Sequence, residues 1–483
     1  MQKTIKSPNE FSHSSIFGSF PMYSRPLTHG AMVLMASICL SCGIYGDCSY
    51  YTSTYEFQPE IVASASSQES NQTYDLTIAG RVLLGDGIGK QGVDLIQTMG
   101  PDFRISFIHT GRVRTPQIQA LRPEIQRILE LSGIVLKGRV LILEDPISRD
   151  HSNDETVGEY WREYGLPEED PHQIRIAYSM IESSKIPRKW VSIINHRFDA
   201  VAVPDPFLVS VYEASGVTVP IFVVPLGRDL SAFLDTPLKT SRNTPFVFAS
   251  FNTCERRKNT LRTVQGFARA FGNNPNVELH LGWRCCRDKS YRQEILDEIA
   301  RLGLTNVLIE EGSVDFPEHY ARFCKIDCHV SLSTGEGFSI LPREALALGI
   351  PVIVSDNTGQ TTICDSGLVR TVPSNIEVPA MYPWPGDFGV QYDCLLDDIA
   401  AAYRDVYEHY EAYIQNASEY REWARKYDLP MTKDAFMSLI KPSRVVVGKT
   451  NAILPTGLMT TSTKLAEKYM SIFSLPTPES LEK

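Results

Sequence analysis

"STGEGFSILPREALALGIPVIVSD", Ser333 to Asp356, sets Glu336 and Glu344 into a stretch that otherwise reads as buried core. Just upstream, "CHVSLST" (Cys328 to Thr334) is a short β-branched and apolar run that reads as a buried strand, and "PVIVSD" (Pro351 to Asp356) reads as a second. Between them, Pro342 suits the first helical position, where its missing N–H costs nothing, and Gly349 suits the helix end. The stretch is therefore a βαβ unit with "GEGFSI" as its strand-to-helix loop. In open α/β sheets, ligands bind at such loops, at the carboxyl ends of the strands. Glu336 then stands at the rim of a cleft and Glu344 in the first turn of the helix. Gly335 and Gly337 let the backbone come close to a ligand, and the N–H groups of Phe338 and Ser339 can meet an anion. The helix dipole alone favours an acid at Glu344 by about 0.3–1 kcal/mol. It gives no reason for Glu336.

The same alternation runs through most of the chain. "YDLTIAGRVLL", "FRISFIHT", "RVLILED", "IRIAYSM", "DAVAVPD" and "IFVVPLG" read as strands, with a helical pattern in "QALRPEIQRILELSG" between two of them. A polar, proline-containing stretch from Arg228 to Pro245 interrupts the pattern and reads as an interdomain linker. The alternation then restarts with "FVFASF", "VELHLGW", "NVLIEEG", "CHVSLST" and "PVIVSD". Strands alternating with helices imply parallel, doubly wound sheets. The expected organisation is an N-terminal extension over 1–73, a first Rossmann-like domain over 74–233 and a second over 243–427. A helix over 428–441 that can cross back to the first domain follows, and then a peripheral extension over 442–483.

With 483 residues, 43% hydrophobic and 22% charged, the chain has an ordinary globular composition and is too long for one core. Its formal charge of -10 argues against nucleic acid as the main partner, since that binding rests on clustered Lys and Arg. Among the ten cysteines, Cys39 and Cys42 form a CxxC, but no second pair or histidine follows at zinc spacing, so no metal site is expected. Cys324 and Cys328 lie in apolar runs and read as buried thiols. The polar first 70 residues read as disordered, and their one apolar run, Ala31 to Leu40, is about half the length needed to span a bilayer. That run leaves peripheral association with a membrane surface open. "GDGIGKQG" (Gly85 to Gly92) contains GxGxxG at Gly87, Gly89 and Gly92. A nicotinamide-binding fold would also need an acid at the end of the next strand, which instead ends at His109 and Thr110, and no cofactor is expected.

Two carboxylates flanking an anion site suit the vicinal hydroxyls of a sugar and of a ribose, and a sugar nucleotide carries both. "EGFSILPREALALGIPVIVSD" resembles the E-x7-E motif of retaining GT-B glycosyltransferases of glycosyltransferase family 4, from the Gly-Phe after the first acid to the Gly-x-Pro-Val-Ile exit. The resemblance extends over about Tyr74 to Ile440. It implies a GT-B fold, two facing doubly wound Rossmann-like domains with the active site in the cleft between them. It further implies retaining, metal-independent transfer of a sugar from a UDP-, GDP- or ADP-sugar to a carbohydrate, lipid-linked or protein acceptor, in the cytoplasm where nucleotide sugars reside.

Residue by residue, Lys258 falls on the family's diphosphate-binding lysine, and Glu336 on the acid that holds the transferred sugar. Glu344 falls on the acid for the ribose. The arginine that commonly precedes the lysine is replaced by Asn252 and Thr253, so Arg257 or Arg256 is expected to stand in. Gly337, Phe338 and Ser339 complete the donor loop, and Gly87 and Gly89 match the family's glycine-rich first loop. Tyr178, Glu182 and His109 are acceptor-side candidates, each with a plain structural reading as a core-edge, capping or strand-end residue. Two alternatives share the fold: a non-catalytic GT-B subunit of a glycosylation complex, and a sugar-nucleotide epimerase.

Overall fold

The computed structural model describes residues 74–476 apart from 81–86, 101, 110–122, 131–137, 145–146, 148–169, 287 and 313, all within one compact unit. The extension over 1–73, with its apolar run and CxxC, lies outside the described residues.

β1 (Tyr74–Gly80), β2 (Ile105–His109), β3 (Gly138–Glu144), β4 (Ile174–Tyr178), β5 (Ala200–Val203) and β6 (Ile221–Val223) form one six-stranded sheet. Its strands are parallel in the order β2-β1-β3-β4-β5-β6. Near-continuous apolar runs such as "IRIAY" suit this arrangement, because both faces of a parallel sheet are covered. The second sheet holds β7 (Phe246–Asn252), β8 (Val277–Trp283), β9 (Val307–Glu311), β10 (Cys328–Ser331), β11 (Val352–Asp356) and β12 (Arg370–Pro373). It too is parallel, in the order β12-β11-β10-β7-β8-β9. From β7 the chain winds outward to β9, then returns to β10 on the other side of β7. The order therefore reverses between β7 and β10, and a crevice opens at their carboxyl ends.

Two chain passages join the halves, and they lie side by side. Arg228 donates its N–H to the carbonyl of Tyr427 and accepts from the N–H of Leu429, each at 2.9 Å. A side chain at Gly227 would meet the Thr432 hydroxyl at 2.1 Å, so the close crossing requires glycine there. Beyond it, the helix Leu429–Ile440 packs back on the first sheet, where Phe436, Leu439 and Ile440 join Leu76, Ile142 and Ile176.

Two features depart from the sequence reading. The segment after Ile440 is not peripheral. It forms β15 (Arg444–Val447), β16 (Ala452–Leu454), β17 (Gly457–Thr460) and the helix Thr463–Phe473, and its Val445, Leu458, Leu465 and Tyr469 are buried in the core of the first sheet. Its apolar residues are divided among strands too short to show a period. Between β12 and the C-terminal helices, β13 (Ile376–Pro379) and β14 (Val390–Asp393) form an antiparallel hairpin. Its tip seats Trp384 and Phe388 on Trp190 of the first half, with ring centroids 5.9 and 5.7 Å apart. Among the described cysteines Cys328 is buried as expected, but Cys324, at the end of its helix, is exposed. Among the described residues, no helix is long and apolar enough to cross a membrane.

Candidate active site

The reversal between β7 and β10 brings two loops together. After β7 the chain makes a short turn, Arg256–Lys258, and after β10 it enters the glycine-flanked loop of Glu336. Lys258 Nζ donates to Glu336 Oε1 at 2.5 Å, and Ser333 Oγ donates to the same oxygen at 2.6 Å. Arg257 Nη1 lies 3.1 Å from Glu336 Oε2 and donates to the carbonyl of Gly335 at 2.7 Å. Burial opposes ionisation of Glu336, but Lys258 and Arg257 outweigh it and hold its carboxyl down at about 2. Burial, together with the neighbouring Arg257 charge, lowers the Lys258 pKa. Of the two arginines expected to replace the family's missing one, Arg257 is at the cluster. Arg256 turns away to Asp288 and Glu294.

The first half of the chain reaches the same cluster through Glu182, in the segment after β4. Its Oε1 is 3.3 Å from Arg257 Nη2, and its Oε2 accepts from the Tyr382 hydroxyl of the hairpin at 2.9 Å. Contact between the halves is so close that a Cβ on Gly335 would sit 1.9 Å from the carbonyl oxygen of Glu182. A Cβ on Gly337 would meet Met180 Sδ at 3.0 Å. The close approach of the opposite main chain thus requires glycine at 335, whereas at 337 the neighbour is a side chain that can yield.

Past the acid, Ser339 adopts φ 63° and ψ 75°, a left-handed conformation uncommon for a residue with a side chain, and the helix Ile340–Leu348 begins at once. The first N–H groups of such a helix have no acceptor within it. A small polar cavity of ≈ 30 Å³ lies here, lined among others by Ser250, Asn252, Lys258, Ser333, Glu336 and Ser339. A cation, an acid and a helix start around one cavity suit a ligand that is anionic at one end and hydroxylated at the other.

Glu344 is placed differently from Glu336. It is 2% exposed and does not line that cavity. His319 Nε2 lies 2.7 Å from its Oε2, and Arg228 Nη2 lies 3.6 Å from its Oε1. Arg228 in turn donates to Asp94 in the first half at 2.7 Å, so Glu344 belongs to a buried chain of charges between the halves. Phe338 contributes its backbone to the loop while its ring is buried beneath Arg343. Gly87 and Gly89 open the helix Gly87–Met99 after β1.

The acceptor-side candidates separate. Glu182 is at the cluster. Tyr178 is a core residue: it is 3% exposed, its hydroxyl donates to the carbonyl of Val224 at 2.9 Å, and its ring packs on Phe436. An aromatic at a strand end facing a covering helix is buried by it, and only the chain return made that helix visible. His109 closes β2 opposite Gly80, and its side chain lies outside the described residues. Among the described residues, no group of three or more His, Cys, Asp or Glu is disposed to hold a metal ion.

Sequence reading missed Arg343, Asp205, Ser333, Tyr382 and the Arg228–His319 pair around Glu344. Arg343 and Asp205 had a signal only in hindsight: each is charged inside an otherwise apolar or proline-bounded run.

Comparison with known proteins bears on the half that carries Lys258, Glu336 and Glu344. Residues 237–375 match the family of glycosyl transferases group 1. That group-1 match spans β7 to β12 and so includes the whole β7–β10 crevice. Solved structures extend the likeness to both sheets. HepE of Anabaena in complex with UDP is 14% identical, with a TM-score of 0.51 over 76% of this chain and 98% of that chain. A glycosyltransferase from Rickettsia africae is 12% identical, with a TM-score of 0.53 over 76% and 97%. Sucrose-phosphate synthase from Thermosynechococcus elongatus is 14% identical, with a TM-score of 0.51 over 76% and 98%. At these identities the likeness is one of fold: two Rossmann-like sheets in the GT-B arrangement. Among curated proteins, none matches the chain in sequence. The group-1 match and the GT-B fold together support a glycosyltransferase.

Proposed function

We propose that the chain is a retaining glycosyltransferase that takes its sugar from a nucleotide-sugar donor without a metal ion. The observation that carries this reading is the Lys258–Glu336–Arg257 cluster at the β7–β10 reversal, inside the group-1 match. A donor diphosphate placed there takes Lys258 and Arg257 as counter-charges and the N–H groups at the start of Ile340–Leu348 as further donors. Glu336, released from Lys258, accepts hydrogen bonds from the hydroxyls of the transferred sugar.

In the reaction the bond between the anomeric carbon and the leaving phosphate oxygen breaks as the acceptor oxygen bonds to that carbon on the same face. The acceptor proton passes to the departing phosphate. Negative charge grows on the diphosphate, and fixed cations nearby favour that change most where water is scarce. No carboxylate is assigned as a covalent nucleophile, and the two-carboxylate scheme of glycosidases does not apply. Ribose hydroxyls reach Glu344 by replacing His319, the more exposed of the pair.

A UDP-sugar is the first donor to test, since HepE binds UDP. Glu182 is the carboxylate best placed to meet an acceptor hydroxyl, and the acceptor itself is a carbohydrate, a lipid-linked glycan or a protein. The test is a screen of UDP-, GDP- and ADP-sugars for slow hydrolysis without acceptor, read by release of the nucleoside diphosphate. Release from one class, abolished in Lys258→Ala, supports the reading. No release and no binding across all three removes it.

A further inference from the structure

Among the described residues of the second half, Arg343 is the most buried cation, at 1% exposure, and the proposed transfer does not use it. A buried guanidinium is costly unless its donors are met, so its partners should explain its presence. Its Nη1 donates to the carbonyl of Phe338 and, at 3.1 Å, to that of Ser339. Its Nη2 donates to Asp205 Oδ2 at 3.2 Å, and Asp205, itself fully buried, accepts from Thr362 through its other oxygen at 2.8 Å. Aromatic faces hold the guanidinium in plane, with Phe338 at 3.8 Å and Tyr427 at 4.5 Å from its carbon. Asp205 lies just after β5, in the first half, so one ion pair joins the first sheet to the loop of the second.

The peptide unit is planar and trans, so a carbonyl and the N–H of the next residue point opposite ways. With the carbonyls of Phe338 and Ser339 both drawn to Arg343, the N–H groups of Ser339 and Ile340 point to the other side. That side is the cavity, which Ser339 and Ile340 line together with Lys258 and Glu336. A left-handed residue followed by a helical one is also the backbone pairing that forms a concave anion nest, and Ser339 supplies the first member.

The geometry points to Arg343 as the positioning residue of the diphosphate-binding turn, holding its amides toward the ligand, with Asp205 of the first half fixing Arg343 in turn. This rests on the donor reading given above and adds to it that the phosphate contacts of one half depend on a carboxylate of the other. Lysine keeps the charge and three donors but lacks the rigid planar fork that fixes their directions toward two carbonyls and a carboxylate.

The experiment is calorimetric binding of UDP, GDP and ADP, and of uridine, guanosine and adenosine, to the wild type, Arg343→Lys and Asp205→Asn. For whichever base the wild type binds, Arg343→Lys should weaken the diphosphate about tenfold and leave the nucleoside within about twofold, because only oriented charge-assisted bonds are lost. Asp205→Asn should shift the same ratio in the same direction by a smaller factor, and it serves alone if Arg343→Lys does not fold. Equal losses for diphosphate and nucleoside would mean a purely structural role and overturn the inference, as would no change in either variant. Absence of binding to the wild type would overturn the donor reading and the inference with it.

Discussion

The Glu336–Lys258 pair makes a prediction opposite in sign to simple loss of a binding residue. Glu336→Gln keeps the size of the side chain and one acceptor oxygen but removes the charge that Lys258 now faces at 2.5 Å. A diphosphate must draw Lys258 from that carboxylate before it can use the cation fully. A charge-assisted bond of this kind contributes about 1.5–3 kcal/mol net, and a neutral amide retains part of it, so about 1.4 kcal/mol of the cost should disappear. Removal of a like charge beside the phosphates acts in the same direction. The nucleoside diphosphate should therefore bind about tenfold more tightly to Glu336→Gln than to the wild type, by calorimetry. Turnover of the nucleotide sugar should meanwhile fall by about a hundredfold or more, since the sugar hydroxyls lose an ionised acceptor. Ser333→Ala, which removes one donor to Glu336 at 2.6 Å and no charge, should change affinity by only about threefold. Weaker or unchanged diphosphate binding in Glu336→Gln would refute the view that Lys258 exchanges its partner on binding.

Stability should fall in acid earlier than carboxylates alone would dictate. His329 is buried and its pKa is lowered to about 3 from 6.5, chiefly by desolvation. Below pH 6.5 the unfolded chain binds a proton there that the folded chain refuses, so stability falls by up to about 1.4 kcal/mol per pH unit as pH drops toward 3. Glu336, depressed to about 2 from 4.5, adds a second loss only below pH 4.5. Urea midpoints from pH 7 to 4.5 should accordingly slope downward in the wild type and flatten in His329→Phe. Gly335→Ala should cost about 1–3 kcal/mol and much of the activity, because its Cβ meets the main chain of Glu182. Gly337→Ala, which meets only the flexible Met180, should be milder in the same thermal and activity assays. Chelation should leave donor hydrolysis intact, and full loss restored by magnesium or manganese would count against Lys258 as the diphosphate's counter-charge.

The eleven runs read as strands correspond to β1 to β11, because each is a compact apolar run bounded by turn residues. Glu336 was legible for the opposite reason: an acid between two glycines has no local task. Arg343 was not, since a charged residue in a helix reads as a solvated face, and only the fold shows that Phe338, Tyr427 and Asp205 enclose it. Tyr382 meets a carboxylate 200 positions earlier in the chain, and no periodicity carries that information. Glu344 shows a limit of motif spacing. The interval to Glu336 fixes its place on the helix, whereas its partners, Arg228 and His319, come from a linker and a neighbouring helix.

The central claim is that the β7–β10 reversal is where a nucleotide-sugar diphosphate sits. A crystal structure with the nucleoside diphosphate selected by the donor screen tests it directly. The account predicts a phosphate within about 3 Å of Lys258 Nζ and of the Ser339 and Ile340 amides. It further predicts that the Lys258–Glu336 contact is broken in that complex. Phosphates bound instead at the start of the helix Gly87–Met99, with Lys258 still on Glu336, would contradict it.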